Sequence, residues 1–110
     1  MTKPYRRPLP MRRRCETFEL PFGGLTKGHV VTVGYYADDT PGEVFISGGK
    51  SGEQVEAIAR DGAVVLSLAL QYGVPLESVR SAITRTGSGE PSSIVGAVVD
   101  RLMEFSEVEK

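Results

Sequence analysis

The 110-residue chain reads as an α+β fold in the order β-β-β-α-α-α: a three-stranded antiparallel meander followed by three helices, with a long central helix packed on one sheet face. Three observations predict it. Apolar residues alternate at period two through the first half of the chain, and they recur at period 3.6 through the second. A hydrophobic content of 40% beside 25% charged residues is that of an ordinary globular chain. A chain of this size has room for one core and buries about two-thirds of its unfolded surface.

Residues 1–14 stand apart from that pattern. Lys3, Arg6, Arg7, Arg12, Arg13 and Arg14 give them six positive charges and no acid, while residues 15–110 hold seven basic residues against fourteen acids, a net of −7. Pro4, Pro8 and Pro10 deny this segment both helix and ladder, so it is expected as an extended or disordered arm. A single domain is expected over 15–106, with 107–110 as a frayed polar tail.

The elements follow in order. In residues 17–22, Phe18, Leu20 and Phe22 alternate with Thr17, Glu19 and Pro21, which predicts a first strand. A second strand is predicted over 29–37, with Val31, Val33, Tyr35 and Ala37 on one face and Val30, Thr32, Gly34 and Tyr36 on the other. Asp38-Asp39-Thr40-Pro41-Gly42 has the residues of a hairpin turn, and 43–47 makes a short third strand. The period then changes. Val55, Ile58, Ala59, Gly62, Leu66 and Leu70 predict a helix over 53–72. Val64, Val65 and Leu68 make its second half apolar nearly all round, so it is expected to be enclosed at the centre of the fold. Gly73 and Pro75 stop it. A second helix is predicted over 75–84, facing inward through Leu76, Val79 and Ile83. A loop follows at 86–90. A third helix begins near Pro91 and carries Ile94, Val95, Val98, Leu102 and Phe105.

Several function classes are excluded or disfavoured. No apolar run approaches the roughly 20 residues that span a bilayer. No apolar stretch follows the N-terminal charges to make a secretory signal, which points to the cytoplasm. Cys15 is the single cysteine, so no internal disulfide forms. His29 is the single histidine and lacks the companions of an ordinary metal site. Asp38-Asp39 reads as turn chemistry. Ser67, alone in an apolar helix, is expected to return its hydroxyl to the preceding turn. No catalytic residue, cofactor or metal is expected.

Thr32-Val33-Gly34-Tyr35-Tyr36, Pro41 to Ile46, Lys50-Ser51-Gly52 and, most specifically, Ser67-Leu68-Ala69-Leu70-Gln71-Tyr72-Gly73-Val74-Pro75-Leu76-Glu77 resemble the TSCPD domain over roughly residues 12–105. That family supplies the C-terminal part of many adenosylcobalamin-dependent ribonucleotide reductases and also occurs as short bacterial proteins. Its Thr-Ser-Cys-Pro-Asp motif has no counterpart here: the nearest stretch, Glu90-Pro91-Ser92-Ser93-Ile94, lacks the cysteine and the aspartate. The catalytic barrel, the radical-bearing cysteine, the redox cysteine pair and the cobalamin site of the reductase are absent from the sequence. The resemblance implies a setting in deoxyribonucleotide metabolism and carries over no catalytic residue.

Three candidate surfaces remain. Gly48, Gly49, Lys50, Ser51 and Gly52 link a strand to a helix, an arrangement that offers backbone N–H groups to a nucleotide phosphate, although the full phosphate-loop pattern fails at Val44. Arg6, Arg7, Arg12, Arg13 and Arg14 can neutralise nucleic-acid phosphates, with Tyr36 and Phe45 on an open sheet face to stack bases. The same arm can instead fold onto the acidic body. An apolar sheet face can also be covered by self-association or by a reductase-type protein partner. The reading that follows is a non-catalytic accessory module acting by binding, with a small nucleic-acid-binding protein as the alternative.

Overall fold

The computed structural model describes residues 5–23, 28–48 and 53–108, with the backbone alone described at 53–54 and 106–108. The elements are β1 (Cys15–Leu20), β2 (His29–Tyr35), β3 (Pro41–Gly48), α1 (Glu53–Gln71), α2 (Leu76–Ala82) and α3 (Ile94–Val108), which is the expected α+β order. Two compact units divide the chain, Met1–Val74 and Pro75–Lys110.

In the first unit the strands form one antiparallel sheet in the order β1-β2-β3. Phe18 faces Val31, Val31 faces Ile46 and Val33 faces Val44. Directly opposed residues share a sheet face, and this one is buried at Leu20, Val31, Val33, Val44 and Ile46. The other face carries Thr17, whose hydroxyl meets that of Thr32 at 3.1 Å, and Phe45. The β2–β3 turn is held by Asp38, which accepts from the Thr40 amide at 3.1 Å and its hydroxyl at 2.6 Å, while Asp39 takes the left-handed φ of 67°. The Thr40 hydrogen bonds, aided by Arg7, hold the Asp38 carboxyl below its usual pKa.

A register shift falls between Gly34 and Tyr35. It breaks the strict alternation of β2, so Val33, Gly34, Tyr35 and Tyr36 are all buried in succession. Tyr36 therefore does not stand on an open face, as simple alternation predicts; it is 4% exposed.

Helix α1 packs along β3 through Ala59, Ala63 and Leu66, which are buried, and it meets the strand's free edge with two polar side chains. The Ser67 hydroxyl accepts from the Val44 amide at 2.8 Å and also lies 3.2 Å from the Val44 carbonyl and 2.8 Å from the Ala63 carbonyl. It thus makes the expected bond back to its own helix and takes on the strand edge as well. Gln71 Nε2 donates to the Gly42 carbonyl at 2.9 Å. An edge strand exposes just such groups, and covering them with a helix is one way to blunt it. The helix ends in a Schellman motif, with Gly73 at φ 89°, Val74 N donating to Ala69 O at 3.0 Å and Gly73 N to Leu70 O at 3.1 Å.

The expected enclosure of α1 is corrected. Val55, Ile58, Val64, Val65 and Leu68 are exposed. The packed stripe is set by small residues that let the helix approach β3 and by the polar pair that the strand edge requires, which rotates the bulkier residues outward.

In the second unit α2 packs on α3. It is shorter than expected, because Ile83 turns extended at ψ 155° and Arg85 then bridges to Pro91. Ser93 opens α3, its hydroxyl accepting from the Gly96 amide at 3.0 Å, which is the N-cap bond of a helix starting three residues after Pro91. The backbone of α3 runs to Val108. Ile94, Val98, Val99 and Leu102 are its buried residues.

Arg85 grips Asp100 with both terminal nitrogens, at 2.9 and 2.8 Å. These bonds hold the Asp100 carboxyl below its usual pKa, against partial desolvation. A carboxyl with a lowered folded pKa stabilises the fold above its unfolded value of about 3.9 and ceases to do so as pH falls through the folded value. Asp100→Asn is expected to lower the melting temperature at pH 7 and to flatten the loss of stability below about pH 4. Acid titrations of both forms followed by circular dichroism check this; equal slopes would remove the assignment.

Candidate functional site

Residues 5–14 form no regular element, but they lie against the first unit through named contacts. Arg6 Nε donates to Gln71 Oε1 at 2.6 Å, and the Arg7 amide donates to the Gln71 carbonyl at 2.8 Å. The Arg7 guanidinium lies 3.9 Å from the Tyr36 ring centroid and 3.4 Å from Asp38. The Tyr36 hydroxyl donates back to the Arg7 carbonyl at 2.7 Å. Arg13 pairs with the buried Glu43 carboxylate, which raises the pKa of its guanidinium. Arg14 pairs with Glu16 and, at 3.1 Å, with Asp39, and stands 4.0 Å over Tyr35. Desolvation opposes its charge, but Asp39 and Glu16 outweigh it and its pKa too is raised.

Among the arginines proposed to meet nucleic acid, then, Arg7, Arg13 and Arg14 are ion-paired within the chain, Arg6 is hydrogen-bonded to Gln71, and Arg12 is exposed. The two proposed stacking rings are separated in environment: Tyr36 is buried beneath the arm, while Phe45 is 57% exposed. Gly48 ends β3 with φ 83°, and Gly49, Lys50, Ser51 and Gly52 lie outside the described residues. Cys15 is an exposed thiol at the start of β1. His29 is buried, and its Nδ1 has no hydrogen-bond partner among the described residues.

A groove of about 420 Å³ runs between β3 and α1. Phe45, Val64 and Leu68 form apolar walls, Arg6 and Arg60 also line it, and Ser67 and Gln71 lie within it. Beside it, Ile58 and Val65 on the outer face of α1 and Tyr72 just past its end follow one another at seven-residue spacing, and all three are exposed. Ile58 and Val65 are thus turned away from the core that the helical spacing predicts for them, and Tyr72 extends the same face. One signal was available: Ser67 and Gln71, a polar i, i+4 pair in the otherwise apolar second half of the helix, marks the side turned to a strand edge, and so fixes which apolar residues turn away.

No helix among the described residues is long and apolar enough to cross a membrane. Among them there is also no group of three or more His, Cys, Asp or Glu that could hold a metal ion.

Comparison with known proteins agrees with the resemblance drawn from the motifs. Over 84 residues the chain is 38% identical to a vitamin B12-dependent ribonucleotide reductase of Rhodopirellula baltica, covering 76% of this chain and 8% of that protein. Over 90 residues it is 40% identical to the enzyme of the same description from Agrobacterium fabrum, covering 82% and 7%. A third, from Streptantibioticus cattleyicolor, is 37% identical over 82 residues, covering 74% and 13%. The chain thus spans under a tenth of the length of the first two. No solved structure gives a significant match. The model of the TSCPD domain matches residues 3–106, nearly the whole chain, and with the strand and helix order described above the protein belongs to the TSCPD domain family.

Proposed function

We propose that the chain is a non-catalytic accessory module of ribonucleotide reduction that acts by docking on a protein partner, a reductase-type enzyme. The observation that carries this reading is the outer face of α1. Ile58 and Val65 are 62% and 66% exposed, with Tyr72 in line beyond them. A contiguous apolar patch on a small domain marks an interaction surface, and a match confined to a small part of large reductases suits a module that works against another body of protein. The nucleic-acid alternative is less well supported, since the arm's ion-paired arginines and the buried Tyr36 are engaged within the chain.

The test is calorimetric titration of the chain into a purified B12-dependent reductase. A complex is expected. Ile58→Asp combined with Val65→Asp should weaken it at least tenfold while leaving the circular dichroism spectrum unchanged. Absence of a complex, or equal affinity of the folded double variant, would defeat the proposal.

A further inference from the structure

The groove between β3 and α1 has features that define what it can hold. Part of its strand edge is already used: Gln71 takes the Gly42 carbonyl, and Ser67 takes the Val44 amide. An incoming chain cannot add as a new strand at these positions and is recognised there through its side chains. The centre is apolar, with Phe45 on the strand and Val64 and Leu68 on the helix.

The charges are asymmetric. The one carboxylate of the groove, Glu43, is buried and paired with Arg13. The cations are more available. Arg60 has Glu56 at 3.4 Å as an exposed i, i+4 partner, a pairing that contributes little and exchanges readily. Arg6 spends its Nε on Gln71, and no carboxylate among the described residues pairs with it. The groove is therefore a positive channel on a body that is otherwise acidic.

The two cations also set a length. Arg6 is anchored at Gln71, and Gln71 lies eleven residues beyond Arg60 on α1, a rise of about 16 Å. An extended chain covers that distance in about five residues at 3.3 Å each.

We propose that this groove receives an extended segment of a partner protein carrying a carboxylate toward each end, about five residues apart, and apolar side chains between them. The carboxylates meet Arg6 and Arg60, and the apolar side chains lie against Phe45, Val64 and Leu68. The inference rests on the reading of the chain as a protein-docking module, and it specifies the segment docked.

The probe is a random heptapeptide library displayed on phage and panned against the full chain. Enriched peptides are expected to carry Asp or Glu toward both ends with Phe, Leu, Ile or Val between. A synthetic peptide of that pattern, followed by fluorescence anisotropy, should bind at least tenfold more weakly to Phe45→Ala and to Arg60→Glu. Panning against Arg60→Glu should exchange the acidic residue at one end for a basic one, a result that misfolding cannot produce. The proposal is overturned by no enrichment, by enrichment of basic or uncharged peptides, by unchanged affinity in both variants, or by displacement of the peptide by a nucleotide or an oligonucleotide. If the reductase complex forms and no acidic peptide is enriched, only the groove's occupant is wrong; acidic peptides without a reductase complex would reject the choice of partner and keep the groove.

Discussion

Tyr36→Ala is expected to cost about 3–5 kcal/mol, the range for removing a large buried aromatic. The ring is enclosed, with Arg7 on its face, and Gly42 approaches so closely that a Cβ there would stand 2.5 Å from it. Its hydroxyl carries a separate contribution through the bond to the Arg7 carbonyl. Tyr36→Phe keeps the packing and loses that bond, at about 1 kcal/mol. Urea denaturation of the two variants separates the terms. Because both ring and hydroxyl act on Arg7, the alanine variant should also release the arm, seen as faster tryptic cleavage after Arg6 under native conditions. A loss below about 1 kcal/mol for alanine would mean that the ring is not packed as described.

The second large effect is expected at Ser67. Replacing it with valine removes the acceptor for the Val44 amide and puts a branched apolar side chain in its place. A buried donor left unpaired costs about 1–3 kcal/mol, which for a domain of this size lowers the melting temperature by about 4–8 °C per kcal/mol. Ser67→Thr retains the hydroxyl and should recover most of the loss. Calorimetric melting of the three forms decides the matter: if threonine is as damaging as valine, the helix side chain does not serve the strand edge. The unpaired edge should also make the valine variant more prone to associate when warmed, measurable by light scattering.

The fold was legible because its signals are local. Alternation in β1, the turn residues 38–42 and the Gly73 stop each act within a few residues of chain. The candidate site depends on longer separations. The burial of Tyr36 follows from a register shift after Gly34 and from an arm 29 residues away in sequence. Neither leaves a mark on the period of β2. The exposure of Ile58 and Val65 follows from which stripe of α1 meets β3, and an apolar residue count treats all its stripes alike. Charge did carry usable information. The +6 arm and the −7 remainder anticipated ion pairing within the chain, and Arg7, Arg13 and Arg14 are where that attraction is realised.

Gln71 also constrains the order in which the molecule assembles. It joins the arm at Arg6 and Arg7, the start of β3 at Gly42 and the end of α1, and its partners lie 65 and 29 residues away in sequence. Closing loops of that span costs entropy before any bond repays it, whereas the β2–β3 hairpin and a turn of helix close over a handful of residues. The contacts of Arg6 and Arg7 with Gln71 can form only after residue 71 has been made and α1 has formed. Until then the arm is held only by pairs with the sheet and its turn, such as Arg13 with Glu43 and Arg14 with Glu16, and its Arg6 end takes its seat last.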